Sequence, residues 1–493
     1  MIESDLKLVL MGGMMKPYKD LLDIFAFLRC CLGCKENMSR VIACMDWQEL
    51  YSFASKQAIL GLCFEGIERL GKEYPEELKR NPIGRELLMT WMGKAQQIRR
   101  QNMKVNAVAS KLFSMLREDG LRCCILKGQG NALMYPNPYS RTPGDIDAWI
   151  DASRERIMEY TQKKFELGDD IRLQHLETSL DGVPVELHFF PCSMNNPIYH
   201  ARLQKWFRRN ADLQCSHIVS LPDGAGDIAI PTSSFNIVYQ LCHLYHHFFD
   251  EGIGMRQIFD YYHVVCDFYK VYQNSSKITP SLFTIKEGST FSPSPSQWSL
   301  HPLRFPRFRG TETSGSGDVT APSRCSEPLR SKDGGPSKVS PNCARWDRRD
   351  AIGDMTSATA STSTDTSATA ARSSFAANSS AAIDRVQKEL KELGLWKFAG
   401  AIMYIMQEVF GMPASRLIVP PNEKYGRFVL NEVLEAGNFG RHDARNRFGR
   451  SQLGHNLQRV YRDMRLVRYF PGEALCEPLF RIWHFFWRMK NKK

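Results

Sequence analysis

The chain has 493 residues, 43% of them apolar and 24% charged, with a formal net charge of +12. That length is enough for two or three domains with ordinary cores, and the positive balance favours polyanionic partners such as nucleotides or nucleic acid without setting a fold. No run reaches the roughly 18 apolar residues that a membrane-spanning helix needs, and the opening MIESDLKLVLMGG does not read as a secretory signal. The fourteen cysteines are therefore expected as free thiols in a reducing cytoplasm.

Residues 1–120 read as an N-terminal helical region. In DWQELYSFASKQAILGLCFEGIERL the apolar residues recur at spacings of three and four, with Asp46 placed as the N-cap. The following MTWMGKAQQIRRQNMKVNAVASKLFSMLRED continues the pattern and stops at Gly120. Cys31-Leu-Gly-Cys34 is a single CxxC inside an apolar helix and reads as core thiols, because zinc usually needs a second pair of ligands.

The period changes at residue 121. LRCCIL is a short apolar run of strand type, Lys127-Gly128 breaks it, and QGNALMY reads as a short helix. Pro136, Pro138, Pro143 and Gly144 mark an irregular loop, after which DIDAWI is a second strand. SRERIMEYTQKKFELG is an amphipathic helix ending at Gly168. IRLQHLETSL and VPVELHFF are two strands joined by Asp181-Gly182, a hairpin turn signal. Residues 121–191 thus form a compact α/β unit, taken with its following segment as 121–231.

Residues 232–273 return to helix. His243 and His247 share a helical face but lack the intervening Glu of a metalloprotease motif, so packing or site lining outweighs zinc binding. Arg256 and Asp260, four apart, suit an intrahelical pair. Residues 274–382 are rich in Ser, Thr, Pro, Gly and Ala and read as a disordered insertion. Helix resumes over 383–493. Its basic, aromatic tail reads as helices whose apolar face packs on the core. Contact with nucleic acid or an anionic membrane surface are the alternatives.

The candidate chemistry lies in Asp145-Ile-Asp147. Side chains alternate along a strand, so both carboxylates point one way, about 6–7 Å apart along the backbone. Their repulsion is relieved by a divalent cation, and Mg²⁺ suits hard oxygen ligands. Val183, Val185, Leu187 and Phe189 share one face of the hairpin strand, which leaves Glu186 and His188 on the other. If that strand lies beside the Asp strand, Glu186 completes a trio able to hold two metal ions for nucleotidyl transfer. Lys127-Gly128, at a strand-to-helix turn, can offer N–H groups and a charge to phosphate, and Arg141 could clamp another phosphate oxygen.

LKGQGNALMYPNPYSRTPGDIDAWI followed by VELH resembles the uncharacterised bacterial nucleotidyltransferase-like family of the DNA polymerase β superfamily. DWQELYSFASKQAILGLCFEGIERL and EGIGMRQIFDYYHVV are similar to its flanking helical segments. The resemblance implies an α+β fold with a small mixed-sheet core embedded in helices. It also implies transfer of a nucleotidyl group from a nucleoside triphosphate to an acceptor hydroxyl. Asp145, Asp147 and Glu186 become metal ligands, Lys127 and Gly128 the phosphate turn, and His188 and Arg256 candidates for a supporting shell. The sequence departs from the superfamily at the turn, where Lys127-Gly128-Gln129 replaces Gly-Ser, and in a longer spacing from Gly128 to Asp145. Both departures admit a second reading, a non-catalytic nucleotide- or nucleic-acid-binding regulatory module such as one half of a toxin–antitoxin or defence pair.

Overall fold

The computed structural model describes residues 18–165, 172–274, 381–443, 445 and 452–491. These form a mostly helical molecule around a small four-stranded sheet, with a separate two-stranded hairpin. Six helices come first: α1 (Tyr18–Cys31), α2 (Ser39–Cys44), α3 (Trp47–Lys56), α4 (Leu60–Glu73), α5 (Pro75–Arg80) and the long α6 (Arg85–Glu118). The Asp46 carboxylate accepts the Gln48 and Glu49 N–H groups, so it caps α3 as its position predicts. Gly120, at φ +73, turns the chain out of α6.

The sheet consists of β1 (Cys123–Leu126), β2 (Ile146–Ile150), β3 (His175–Leu180) and β4 (Val183–His188), in the order β1-β2-β4-β3. The β1–β2 and β3–β4 pairs are antiparallel, and β2–β4 is parallel. Two short helices complete the unit: α7 (Gly128–Ala132) after β1, and α8 (Arg154–Lys164) after β2. The α8 helix ends at Lys164, where Phe165 turns extended, short of the end expected at Gly168; most of the 274–382 insertion lies outside the described residues.

Strand alternation divides the core in two. Cys123, Ile125, Ile146, Ala148 and Ile150 face Val105, Ala109, Leu112 and Phe113 of α6. Cys124, Leu126 and Trp149 face the opposite way and join the larger helical core. Trp149 stacks there on Phe235 at 6.1 Å, and Phe235 stacks on Trp206 at 4.5 Å. Phe235 and Trp206 come from α10 (Ser233–Asp250) and α9 (Pro197–Ser216). Asp147 lies on the Trp149 face, so this second side carries the polar centre.

Three elements after β4 were not resolved by the sequence reading: α9 and the hairpin of β5 (Ile218–Leu221) and β6 (Gly226–Ala229). The hairpin packs Leu221 and Ile228 under α6. The larger core continues through α11 (Met255–Asn274), a helix over 381–392 (α12), α13 (Trp396–Phe410) and α14 (Glu423–Ala436). The tail forms α15 (Gln452–Leu466), the single turn α16 (Pro471–Ala474) and α17 (Cys476–Asn491). The expectation for α17 is met in reverse. Leu479, Ile482, Phe485, Phe486 and Met489 face outward, while Glu477 is buried and Arg481 is drawn towards Asp250. Among the described residues no helix is long and apolar enough to cross a membrane.

Candidate active site

Asp147 and Glu186 are direct neighbours in the parallel β2–β4 register. Asp145 sits one residue before β2, at the exposed mouth, while Asp147 is only 1% exposed. Ligand oxygens of Asp145, Asp147 and Glu186 all lie within 4.8 Å of one another. The structure thus brings together the three carboxylates that the sequence singled out. Three clustered acidic oxygens, one deeply buried, need positive charge nearby, and their hard donor set fits a divalent cation.

Lys127 meets part of that need. Its Nζ lies 2.8 Å from Asp147 Oδ1. Burial disfavours the ammonium, but Asp147, Asp145 and Glu186 outweigh burial and hold its pKa well above the ordinary lysine value. Lys127 (φ +50, ψ −136) and Gly128 (φ +41) both have positive φ, and holding a lysine in such a sparsely populated conformation costs about 1–3 kcal/mol. The turn aims Lys127 back over β2, and Leu126 is already paired with Asp147 across β1–β2. The α7 helix that follows has only five residues, so its dipole adds little. The turn N–H groups and the ammonium remain the features suited to phosphate.

His188 ties the carboxylates together. Its Nε2 lies 3.0 Å from Asp147 Oδ1 and 3.1 Å from Glu186 Oε2, and its Nδ1 is 3.3 Å from Gln174 Nε2. Burial pulls the ring pKa down, but those two carboxylates overcome it and push it up to about 9. The Glu186 carboxyl is lowered despite burial, chiefly by the His188 hydrogen bond. His175 stands directly opposite His188 in the β3–β4 register. Burial, with His188 and Arg172 nearby, drives its pKa down to about 2, so it is a neutral imidazole. His175 was not among the residues that composition and spacing single out, although its signal is present in the sequence. A two-residue turn at Asp181-Gly182 pairs 180 with 183 and, counting back, 175 with 188.

Arg141 is placed differently from expectation. Its Nε and Nη2 each lie 2.8 Å from an oxygen of Asp260, and its Nη1 meets the Thr142 carbonyl at 3.3 Å. Tyr135 donates to the same Asp260 at 2.7 Å. The guanidinium is therefore committed inside the protein, holding the loop that leads to Asp145, and is not left open to clamp phosphate. The intrahelical Arg256–Asp260 pair is displaced by this arrangement. Arg256 instead meets the Thr142 carbonyl at 3.3 Å and stacks 5.2 Å over Phe439. Both arginines thus support the same loop.

The α10 helix covers the site from the helical side. Burial pushes the Tyr239 phenol well above its usual range, with Asp147 the next contributor. Burial holds His243 and His247 well below the usual imidazole range, with Lys127 among the charges acting on both. Their Nε2 atoms face each other at 3.1 Å. Among the described residues neither belongs to a cluster of three metal-competent ligands.

A small mixed sheet that gathers three carboxylates beside a lysine turn is the kind of centre that handles phosphate esters with divalent cations. Residues 43–273 match the model of a family described as uncharacterised nucleotidyltransferase, and this segment is nucleotidyltransferase-like. The matched range contains every residue of the centre, from Lys127 to His188. No curated protein and no solved structure matches the chain.

Proposed function

We propose that the chain transfers a nucleotidyl group from a nucleoside triphosphate to an acceptor hydroxyl, with Mg²⁺ held by Asp145, Asp147 and Glu186. The observation that carries this is the convergence of those three carboxylates within 4.8 Å. In the reaction the acceptor hydroxyl gives its proton to Glu186, its oxygen bonds to the α-phosphorus, the bond to the β-phosphate bridge breaks, and pyrophosphate leaves. A cation bound at the trio supplies charge stabilisation at the transferring phosphate. Asp147, already in contact with Lys127 and His188, fixes the buried end of the trio, and Asp145 presents its carboxylate at the mouth. Lys127 balances the acidic charge and carries a positive group to where phosphate enters. Arg141 and Arg256 position the Asp145 loop.

The test is pyrophosphate release and label transfer with each α-labelled nucleoside triphosphate and Mg²⁺, using cell extract as the acceptor pool. Signal that disappears in Asp145→Asn and Asp147→Asn, with folding intact, is the expected result. Undiminished turnover in the double variant rejects it. One observation favours the non-catalytic module: the Lys127–Asp147 ion pair competes with a cation for the same oxygen. That reading predicts nucleotide binding without pyrophosphate release.

A further inference from the structure

Next to the carboxylate trio lies a second set of ligand atoms with different chemistry. His175, Glu186 and His188 place two imidazoles and a carboxylate within 4.8 Å of one another. The turn at Asp181-Gly182 imposes this, because it sets His175 opposite His188 across β3–β4. Glu186, on the same strand as His188, contributes the oxygen between them.

The spacings suit one ion. Ligands held about 2.0–2.2 Å from a tetrahedral metal stand about 3.4 Å from each other. His188 Nε2 lies 3.1 Å, and His175 Nδ1 3.5 Å, from the same Glu186 oxygen. Asp147 Oδ1, which already holds Lys127 Nζ at 2.8 Å, lies 3.0 Å from His188 Nε2 and bounds the set on that side.

A second observation points the same way. His175 is 8% exposed, yet neither of its ring nitrogens has a hydrogen-bond partner. Its nearest carboxylate oxygens are 3.5 and 3.7 Å away, on Glu186 and Glu177. A buried polar atom left without a partner costs about 1–3 kcal/mol. A metal on Nδ1 removes that cost at one nitrogen.

We infer that His175, Glu186 and His188 form a binding site for a nitrogen-preferring divalent transition metal of the zinc class. Imidazole ligands select zinc over magnesium, whereas the Asp145–Asp147–Glu186 oxygens select a hard ion. Glu186 is common to both sets, so the chain can sort two kinds of cation across one carboxylate. The inference does not rest on nucleotidyl transfer and holds equally for a non-catalytic module.

The experiment uses the full chain, stripped with chelator and dialysed, then titrated with Zn²⁺ by calorimetry in excess Mg²⁺. Co²⁺ absorption gives a coordination-sensitive second readout. Wild type, His175→Ala, His175→Gln and Asp145→Asn are compared, with folding checked by circular dichroism. The fourteen cysteines are common to all four proteins, so a difference in zinc bound isolates this site. Wild type and Asp145→Asn are expected to bind one more zinc equivalent than the two His175 variants, or to bind it at least tenfold more tightly. Wild-type zinc binding in either folded His175 variant, or a wild type that takes up no zinc, overturns the site. Failure of nucleotidyl transfer would register in the turnover assay and leave this comparison untouched.

Discussion

At the scale of single residues the centre is governed by charge compensation in a buried place. Asp147 is 1% exposed and has Lys127 and His188 in contact. Replacing Lys127 by Met removes one of the two. The expected destabilisation is about 2–3 kcal/mol, below the about 3–5 of a wholly broken buried pair because His188 remains. Urea unfolding measures this, and Mg²⁺ should restore more stability to Lys127→Met than it adds to wild type, by mass action on the folded state. Equal stability of the two chains without metal would show that the ammonium does not compensate Asp147. The Arg141–Asp260 pair makes a second case. Burial alone would raise the Asp260 carboxyl, but Arg141 outweighs it and holds the pKa below the ordinary value. A depressed carboxyl stabilises the fold above its unfolded pKa, about 4, and this contribution is lost as pH falls through the lower folded value. Arg141→Lys keeps the charge but loses the two-pronged geometry. It should therefore unfold at a higher pH on acidification than wild type, and a coincident acid transition would count against the pairing. None of this was readable from spacing. Arg256 sits one helical turn from Asp260, whereas the residue that binds Asp260 is 119 positions away. The nearer arginine loses because only Arg141 reaches Asp260 with two nitrogens at once.

At the scale of elements, what could be read followed from local rules, and what could not depended on distant neighbours. Asp46, Gly120 and Asp181-Gly182 are local signals of a cap, a stop and a turn, and each stands where it was expected. The parallel β2–β4 pairing that sets Asp147 beside Glu186 is not local, and the sequence offered it only as a condition. The β5–β6 hairpin escaped because its strands have only four residues each, too short for alternation to show, with Gly224 and Gly226 breaking the chain between and into them. The face of α17 was inverted for a related reason: periodicity finds an apolar stripe but cannot say which side the molecule covers. Its buried side carries Glu477, with Arg481 reaching Asp250. Ile482→Ser and Phe486→Ser, both on the outward stripe, should therefore change stability by no more than about 0.5 kcal/mol. Phe398→Ala in α13, at 1% exposure, should cost about 3–5 kcal/mol. Comparable losses from both kinds of substitution in urea unfolding would show that the α17 stripe is covered. The α16 turn gives an element-scale pH effect. Glu473 accepts the Asn195 and Asn196 N–H groups, fastening α16 to the chain after β4. Burial pushes its pKa up to about 7, only partly opposed by those bonds. A raised carboxyl pKa means that its contribution is fully present below the unfolded value, about 4.3, and is lost as pH rises through about 7. Glu473→Gln should flatten stability across that window, and an unchanged pH profile would remove Glu473 as its cause.

At the scale of the whole molecule, the family match and the hydrophobic core have different extents. The match ends at residue 273, which invites the idea that residues up to the end of α11 are self-sufficient. The core indicates otherwise. Tyr245 and Phe248 of α10 lie 4.9 and 5.5 Å, ring to ring, from Phe398 of α13. Both also meet Phe470, at the entrance to α16, at 5.9 Å. Phe259 of α11 packs at 4.6 Å on Phe410. The Gln57 side chain, at the end of α3, donates to the Val433 carbonyl of α14 and accepts the Met255 N–H. Cutting the chain after Asn274 would expose one side of α10 and α11, the helices behind the carboxylate-bearing face. Burying one such aromatic side chain is worth about 1.5–3 kcal/mol, so losing partners for several removes much of the about 5–15 kcal/mol by which a domain is stable. A chain of residues 1–274 should therefore bind a hydrophobic dye, unfold without a sharp transition and bind neither Mg²⁺ nor nucleotide. Residues 381–493 supplied as a separate polypeptide should restore a cooperative transition at least in part, because the missing contacts are made by side chains on intact helices. A truncated chain with the denaturant midpoint of the full protein would show instead that residues 381–493 are an accessory and that the matched segment folds by itself.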